Sequence, residues 1–321
     1  MTDPGRHAHR LPDTVGIALP MCLVRTVLEC HPRAGWFEVA PRADTADTTA
    51  PGDLERLRQD YPLTLDVRGI ALGLKTGVCP SRLRDLAALC HRLQPLMVTG
   101  QLPFVAANPA AGTRDRDGLA VACRNITRVQ DALQRQIVIR NSLATSGRPE
   151  LRRAKADFLT SLVERTGCGL ILEVDEAAGL ASGDQTGTWP IPDHAIAAVQ
   201  ISGRIRHSGG VGTATDADCD LVGERAWGHY SAAIGVLGKR PVLVRSRSDM
   251  APLRHLLDAA HWAELLADWV QMNRQILAIA SRTARAAPVR RIRLDGASGV
   301  FNWYPIGLAK SPLAPHPFAT T

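Results

Sequence analysis

Five carboxylates and four arginines stand at or just past short apolar runs of this chain: Asp66, Glu173, Asp175, Asp216 and Asp218, with Arg42, Arg140, Arg204 and Arg245. Gln101, Asn141 and Gln200 occupy comparable positions. Charges gathered at one end of a fold must be paired or hydrated to be tolerated. Two chemistries follow for this set. One is a network of structural ion pairs. The other is a pocket for a zwitterionic or anionic ligand, in which arginines supply bidentate donors. The carboxylates could also hold a hard cation such as Mg²⁺ or Mn²⁺ through oxygen alone, or run metal-free acid–base chemistry, although each arginine opposes a cation. The set contains no histidine and no cysteine, so a nitrogen-rich zinc or iron site cannot be assembled from it.

The elements that would position these residues are eight short apolar runs: residues 15–19, 36–40, 62–67, 96–100, 136–141, 169–175, 195–202 and 241–246. They are continuous rather than alternating, the pattern of parallel strands buried on both faces. Amphipathic stretches such as GDLERLRQDY, SRLRDLAALCHRL and AKADFLTSLVERTG lie between them. Asp53 and Ser81 read as helix N-caps and Gly167 as a C-terminal stop. Eight strand–helix units predict an α/β fold, a TIM-type (β/α)8 barrel over residues 14–286. An open doubly wound sheet would want a glycine fingerprint after its first strand, and VGIALPMC has none. In such barrels chemistry sits at the C-terminal strand ends. Arg140, Arg245 and Glu173 are expected inside the barrel mouth in direct or water-bridged ion pairs, since Arg140 and Glu173 end neighbouring strands.

The net charge is +7, but only four of the 38 cations are lysines and no run of five like charges occurs. A nucleic-acid partner is therefore not indicated. No apolar stretch is long enough to span a membrane, and the polar N-terminal stretch lacks the apolar core of a signal peptide. The expectation is a cytoplasmic protein with neither nucleic acid nor membrane as partner. Cysteines 22, 30, 79, 90, 123, 168 and 219 never form C-x-x-C, and Cys22, Cys90 and Cys168 read as small buried hydrophobes in a reducing compartment. Residues 1–13 are expected to be disordered. Residues 287–321 form a Pro-rich, irregular C-terminal extension. Its Phe301, Trp303 and Tyr304 are expected to dock on the barrel or on a partner, because clustered aromatics mark interaction surfaces.

The segments GWFEVAPR, DYPLTLDVRGIALG, ITRVQDALQRQIVIRN, ADFLTSLVERTGCGLILEVDEA and ERAWGHYSAAIGVLG, in this order over about residues 14–267, resemble successive blocks of the multinuclear non-heme iron-dependent oxidative enzymes (MNIO family). The resemblance implies a TIM-type barrel. It also implies two or three irons held by His, Glu and Asp at the strand ends, and oxidation of residues in ribosomally made peptides with a dedicated partner protein.

The same resemblance exposes departures. After W-F-E-V the family places a ligand His and then a Glu; here stand Ala40 and Arg42. Its strand-three His is Asp66, and its Glu-His after strand four is Gly100-Gln101. Its Glu before Asn141 is Arg140, although Asn141 matches. Its Asp and Asn around the end of strand six are Glu173 and Asp175, and its two His around strand seven are Gln200 and Arg204. In the next loop Asp216 matches and the following His is Asp218. The Glu closing strand eight is Arg245. An arginine is a permanent cation, so four of them at ligand positions can replace the charge of a metal cluster. The expectation is a divergent family member without a metal or other cofactor. It would be a pseudoenzyme that binds a precursor peptide, a partner protein of the modification system, or both. The alternative is an active enzyme with a rebuilt carboxylate/arginine site, acting on a peptide or small anionic substrate with or without a divalent metal. A barrel kept for a role unrelated to peptides is the third reading.

Overall fold

The computed structural model describes residues 11–41, 52–102, 114–140, 149–174, 191–203, 222, 224–246 and 251–286. The chain divides into one unit of residues Met1–Leu277, which holds the barrel, and a second, Ala278–Thr321. The eight expected strands are all present: β1 Val15–Ala18, β2 Trp36–Val39, β3 Leu63–Val67, β4 Met97–Gln101, β5 Val138–Arg140, β6 Gly169–Glu173, β7 Ile196–Gly203 and β8 Val242–Ser246. All neighbours pair in parallel and β8 closes on β1, giving a closed barrel in sequence order. The described helices are α1 Val24–Cys30, α2 Asp53–Asp60, α3 Pro80–Leu93, α4 Arg114–Leu133, α5 Pro149–Thr166, α6 Glu224–Leu237 and α7 Leu253–Ala286.

Strand side chains alternate between the two faces. The outward set, including Ile17, Phe37, Leu65, Ile139, Leu172, Ile201 and Val244, joins the inner faces of the helices in one large apolar core. The inward set forms a second, separate cluster from Leu11, Trp36, Met97, Val138, Ile171, Ala198 and Leu243. Trp36 plugs this layer. It is fully buried, and its indole N–H lies 3.4 Å from the Thr14 carbonyl. The ring lies over Gly16, its register partner on β1, where a Cβ would come within 2.1 Å of the indole. Only hydrogen at that position leaves room for the tryptophan.

Local signals differ from the sequence expectations in detail. The N-cap of α2 is Gly52 and that of α3 is Cys79, so Asp53 and Ser81 sit inside the first turn. Pro80 decides the second case, because its missing N–H is harmless at the first helical position. Gly167 does follow the end of α5, with a left-handed φ of 65° and its N–H on the Val163 carbonyl. Cys90, Cys123 and Cys168 are buried, but Cys22 is exposed, being on the outer side of the short turn before α1. Of the N-terminal stretch, residues 11–13 are described, and Leu11 is buried under the barrel. No helix is long and apolar enough to cross a membrane among the described residues.

Replacing Gly16 by Ala should force the buried indole out of its rotamer and cost about 1–3 kcal/mol, the usual range for overpacking. Chemical denaturation checks this; an unchanged midpoint would mean that Trp36 has another place to go.

Candidate functional site

Two residues up from the apolar inward layer, every strand from β2 to β8 carries a polar side chain. Glu38 follows Trp36, Asp66 follows Thr64, Thr99 follows Met97 and Arg140 follows Val138. Glu173 follows Ile171, Gln200 follows Ala198 and Arg245 follows Leu243. The two-residue step keeps each on the inward face and raises it by one pleat toward the C-terminal end of the barrel. The layer is shut off from water: Glu38, Asp66, Thr99, Arg140, Glu173 and Gln200 are all buried, as is Ser202 at the end of β7.

Glu38 is the hub. Arg140 Nη2 donates to both of its oxygens, at 2.7 and 3.0 Å. Arg245 Nη2 donates to its Oε2, and Thr99 Oγ1 lies 3.1 Å from its Oε1. Asp66 takes the other side of the same two cations. Arg245 Nη2 is 2.8 Å and Arg140 Nη1 3.2 Å from its Oδ2, and the half-exposed Arg68 adds its Nε at 3.3 Å. Two guanidiniums and two carboxylates thus interlock across the barrel from β2, β3, β5 and β8. Their charges cancel. Beside this quartet, Gln200 Nε2 donates to Glu173 at 3.0 Å and to Ser202 Oγ at 2.9 Å.

The electrostatics follow the geometry. Burial drives the Asp66 carboxyl toward its neutral form, but the fields of Arg140, Arg245 and Arg68 outweigh it and hold the group below its ordinary value of 3.8. Arg245 is likewise opposed by burial and held charged by Glu38 and Asp66, so that its proton is bound more firmly than in water. Spare hydrogen-bonding capacity remains in the layer. Asp66 Oδ1, Gln200 Oε1, Thr64 Oγ1 and the Nε groups of Arg140 and Arg245 are buried and find no partner among the described residues.

Of the residues singled out in the sequence, the structure brings Asp66, Arg140, Glu173, Gln200 and Arg245 into this layer. Gln101, the last residue of β4, is exposed above it. Arg42, Asn141, Asp175, Arg204, Asp216, Asp218, Phe301, Trp303 and Tyr304 lie outside the described residues. One expectation needs correction: the carboxylate that Arg140 grips is Glu38 across the barrel, while Glu173 on the adjacent strand engages Gln200. Glu38 lies inside the apolar run of β2 rather than past its end, so the strand-end rule does not reach it. The signal was present, since a charged residue inside the apolar run WFEV, two positions after a tryptophan, faces the same way as that tryptophan.

Residues 14–268 match the family model described as RiPP precursor modification enzyme MbnB/TglH/ChrH, RiPPs being ribosomally made, post-translationally modified peptides. The chain belongs to this family, as the resemblance to the MNIO enzymes implies. A UPF0276 protein of Caulobacter vibrioides is 30% identical over 85% of this chain and 97% of its own length. Another, of Chromobacterium violaceum, is 28% identical over 80% of this chain and 95% of its own. Among solved structures, an L-ribulose 3-epimerase superposes with a TM-score of 0.53 at 15% identity, covering 82% of this chain and 97% of the other, a likeness of fold alone. The family lends its iron cluster to the question of what this layer can hold. Both carboxylates of the quartet are already gripped by guanidiniums, at the distances where a metal ion would need them free. Among the described residues no group of three or more His, Cys, Asp or Glu is placed to hold a metal ion.

Two outcomes follow. Arg140→Ala should leave the buried Glu38 and Asp66 to share Arg245, with Arg68 at the edge of Asp66, and cost on the order of 3–5 kcal/mol, as for a broken buried pair. A loss below about 1 kcal/mol, read by urea denaturation, would place the pair in the regime of solvated surface ion pairs. The depressed Asp66 carboxyl contributes stability at every pH above its ordinary value. That contribution is lost as pH falls below 3.8 and through the lower folded-state value. Thermal midpoints of wild type and Asp66→Asn should therefore converge on acidification through that window; curves that stay parallel would show that Asp66 titrates as in the unfolded chain.

Proposed function

We propose that this barrel is a non-catalytic member of a RiPP modification system, one that binds a precursor peptide through its C-terminal mouth and holds no iron cluster. The observation that carries the reading is the interlocking of Arg140 and Arg245 with Glu38 and Asp66. A cluster of iron ions in this layer would have to share it with two permanent cations. Guanidinium does not shed its proton to make way, and the quartet already satisfies the negative charge that a cluster would neutralise. The described residues therefore do not fit the family's metal site.

Peptide binding is supported by what lies over the sealed quartet. The exposed Gln101 and the half-exposed Arg68 stand at the mouth, and a chain of amides can pair with both. Family membership supplies the class of ligand. The other reading weighed above, a rebuilt site that turns over a peptide or a small anion, makes the same demand for a ligand but requires a reacting group. The carboxylates of the quartet are a poor source of one, because Arg140 and Arg245 pair with both and hold them away from substrate in the buried layer.

Elemental analysis of the purified protein, together with anisotropy of a labelled precursor peptide from the same gene neighbourhood, tests the proposal. The expected result is saturable peptide binding with iron well below one equivalent per chain. Two or more tightly held irons, or a chemically altered peptide after incubation, overturns it. The charge argument has its own control. Arg245→Glu should lower thermal stability in the absence of metal and regain part of it on adding Mn²⁺, whereas wild type should be indifferent to the ion.

A further inference from the structure

Helix α7 wears its apolar residues the wrong way round for a barrel helix. The face it buries is rich in alanine: Ala259, Ala260, Ala263 and Ala267, with Leu256 and Val270. Leu253, Leu257 and Leu266 pack partly against the same core. A second set of bulky residues faces water. Trp262 is 41% exposed, Leu265 47%, Trp269 51%, Met272 52% and Ile276 54%. At about 100° per residue this stripe lies roughly 140° around the helix from the alanine face. Burial against the barrel therefore does not account for it.

The spacing of the five is three, four, three, four, the a and d positions of a heptad. That repeat fits another helix bearing the same repeat, with knobs entering holes on both sides. A second copy of this chain supplies such a helix by definition, around a two-fold axis with the same patch on each subunit. The flanking e and g positions agree with self-association. They are His261, Leu266, Asp268, Asn273 and Gln275, and Asp268 is already paired with Lys239 at 2.9 Å. No block of like charge confronts its own image, even though the chain as a whole is +7. The area of the stripe reaches the lower bound of roughly 1,000 Å² in total for a specific interface. The five side chains offer roughly 500 Å² per copy, more than half of the roughly 800 Å² per partner in a stable interface. A free two-heptad peptide would be marginal, but here the barrel has already formed the helix, so its ordering is not charged to association.

We infer that α7 is the homodimerisation helix of this protein, two copies pairing through Trp262, Leu265, Trp269, Met272 and Ile276. The inference is independent of the peptide-binding reading and survives its failure.

Sedimentation equilibrium of the full chain gives the mass directly, and two chains per particle at micromolar concentration is expected. Leu265→Glu combined with Trp269→Glu should raise the dissociation constant by at least about 30-fold, the loss typical of interface hot spots, with unchanged far-ultraviolet circular dichroism. Met272→Glu, which touches less of the helix–barrel packing, should weaken the dimer in the same direction. Hydrogen exchange on wild type needs no variant: amides and side-chain-proximal peptides of residues 262–276 should gain protection as concentration rises. A monomeric wild type overturns the inference, as does a dimer indifferent to all three substitutions, or exchange in 262–276 that is independent of concentration. A wild-type monomer that dimerises only after truncation behind Ala286 also overturns it, and assigns the stripe to the chain's own C-terminal segment.

Discussion

Two buried carboxylates and two guanidiniums, one buried and one partly so, govern what this barrel can do. Glu38 and Asp66 could not sit together in the interior as ions without a matching positive charge, and Arg140 and Arg245 could not be there without them. Each makes the others tolerable. The four come from β2, β3, β5 and β8 and span most of the strand circle. The network therefore ties opposite walls of the barrel to one geometry, with two cations balancing two anions at its centre.

That arrangement rests on the layering beneath it. Trp36, Met97, Val138, Ile171, Ala198 and Leu243 close the barrel below with an apolar plug, and the next inward position on each of those strands is polar. The dry floor removes water as a competitor for the ions above it and so strengthens their pairing. Gly16 belongs to the same logic, because the plug depends on a tryptophan and the tryptophan depends on a missing side chain opposite. The barrel common to the family is thereby kept, with charge pairing at its top. Fold and site are separable in this way because strand-end side chains contribute little to the outer core, which joins the opposite strand faces to the helices.

The two surfaces argued to bind use opposite principles. The mouth carries polar side chains such as Gln101 and Arg68 over a sealed charged layer, which suits a polar chain. The outer face of α7 carries large apolar side chains whose desolvation is still to come, and which a second helix of the same pattern can bury. The alanine face lets α7 lie close on the barrel with little bulk, and that spares its tryptophans for the outside.

The sequence by itself determined the barrel. Eight continuous apolar runs at a strand–helix period leave few other ways to bury both faces of each strand, and the observed strands fall within one or two residues of those runs. It also determined that arginine and carboxylate would share the strand ends, because those residue types are written there. It did not determine which carboxylate each arginine takes. Neighbourhood along the sheet pointed Arg140 toward Glu173 on the next strand. Closure of the barrel brings Glu38, three strands away, within 2.7 Å instead. The reason is geometric. In a closed barrel, inward side chains at one height converge on the axis, so distance across the interior is shorter than distance around the wall for a side chain as long as arginine. Only the tertiary structure sets that height, strand by strand, and with it the partners.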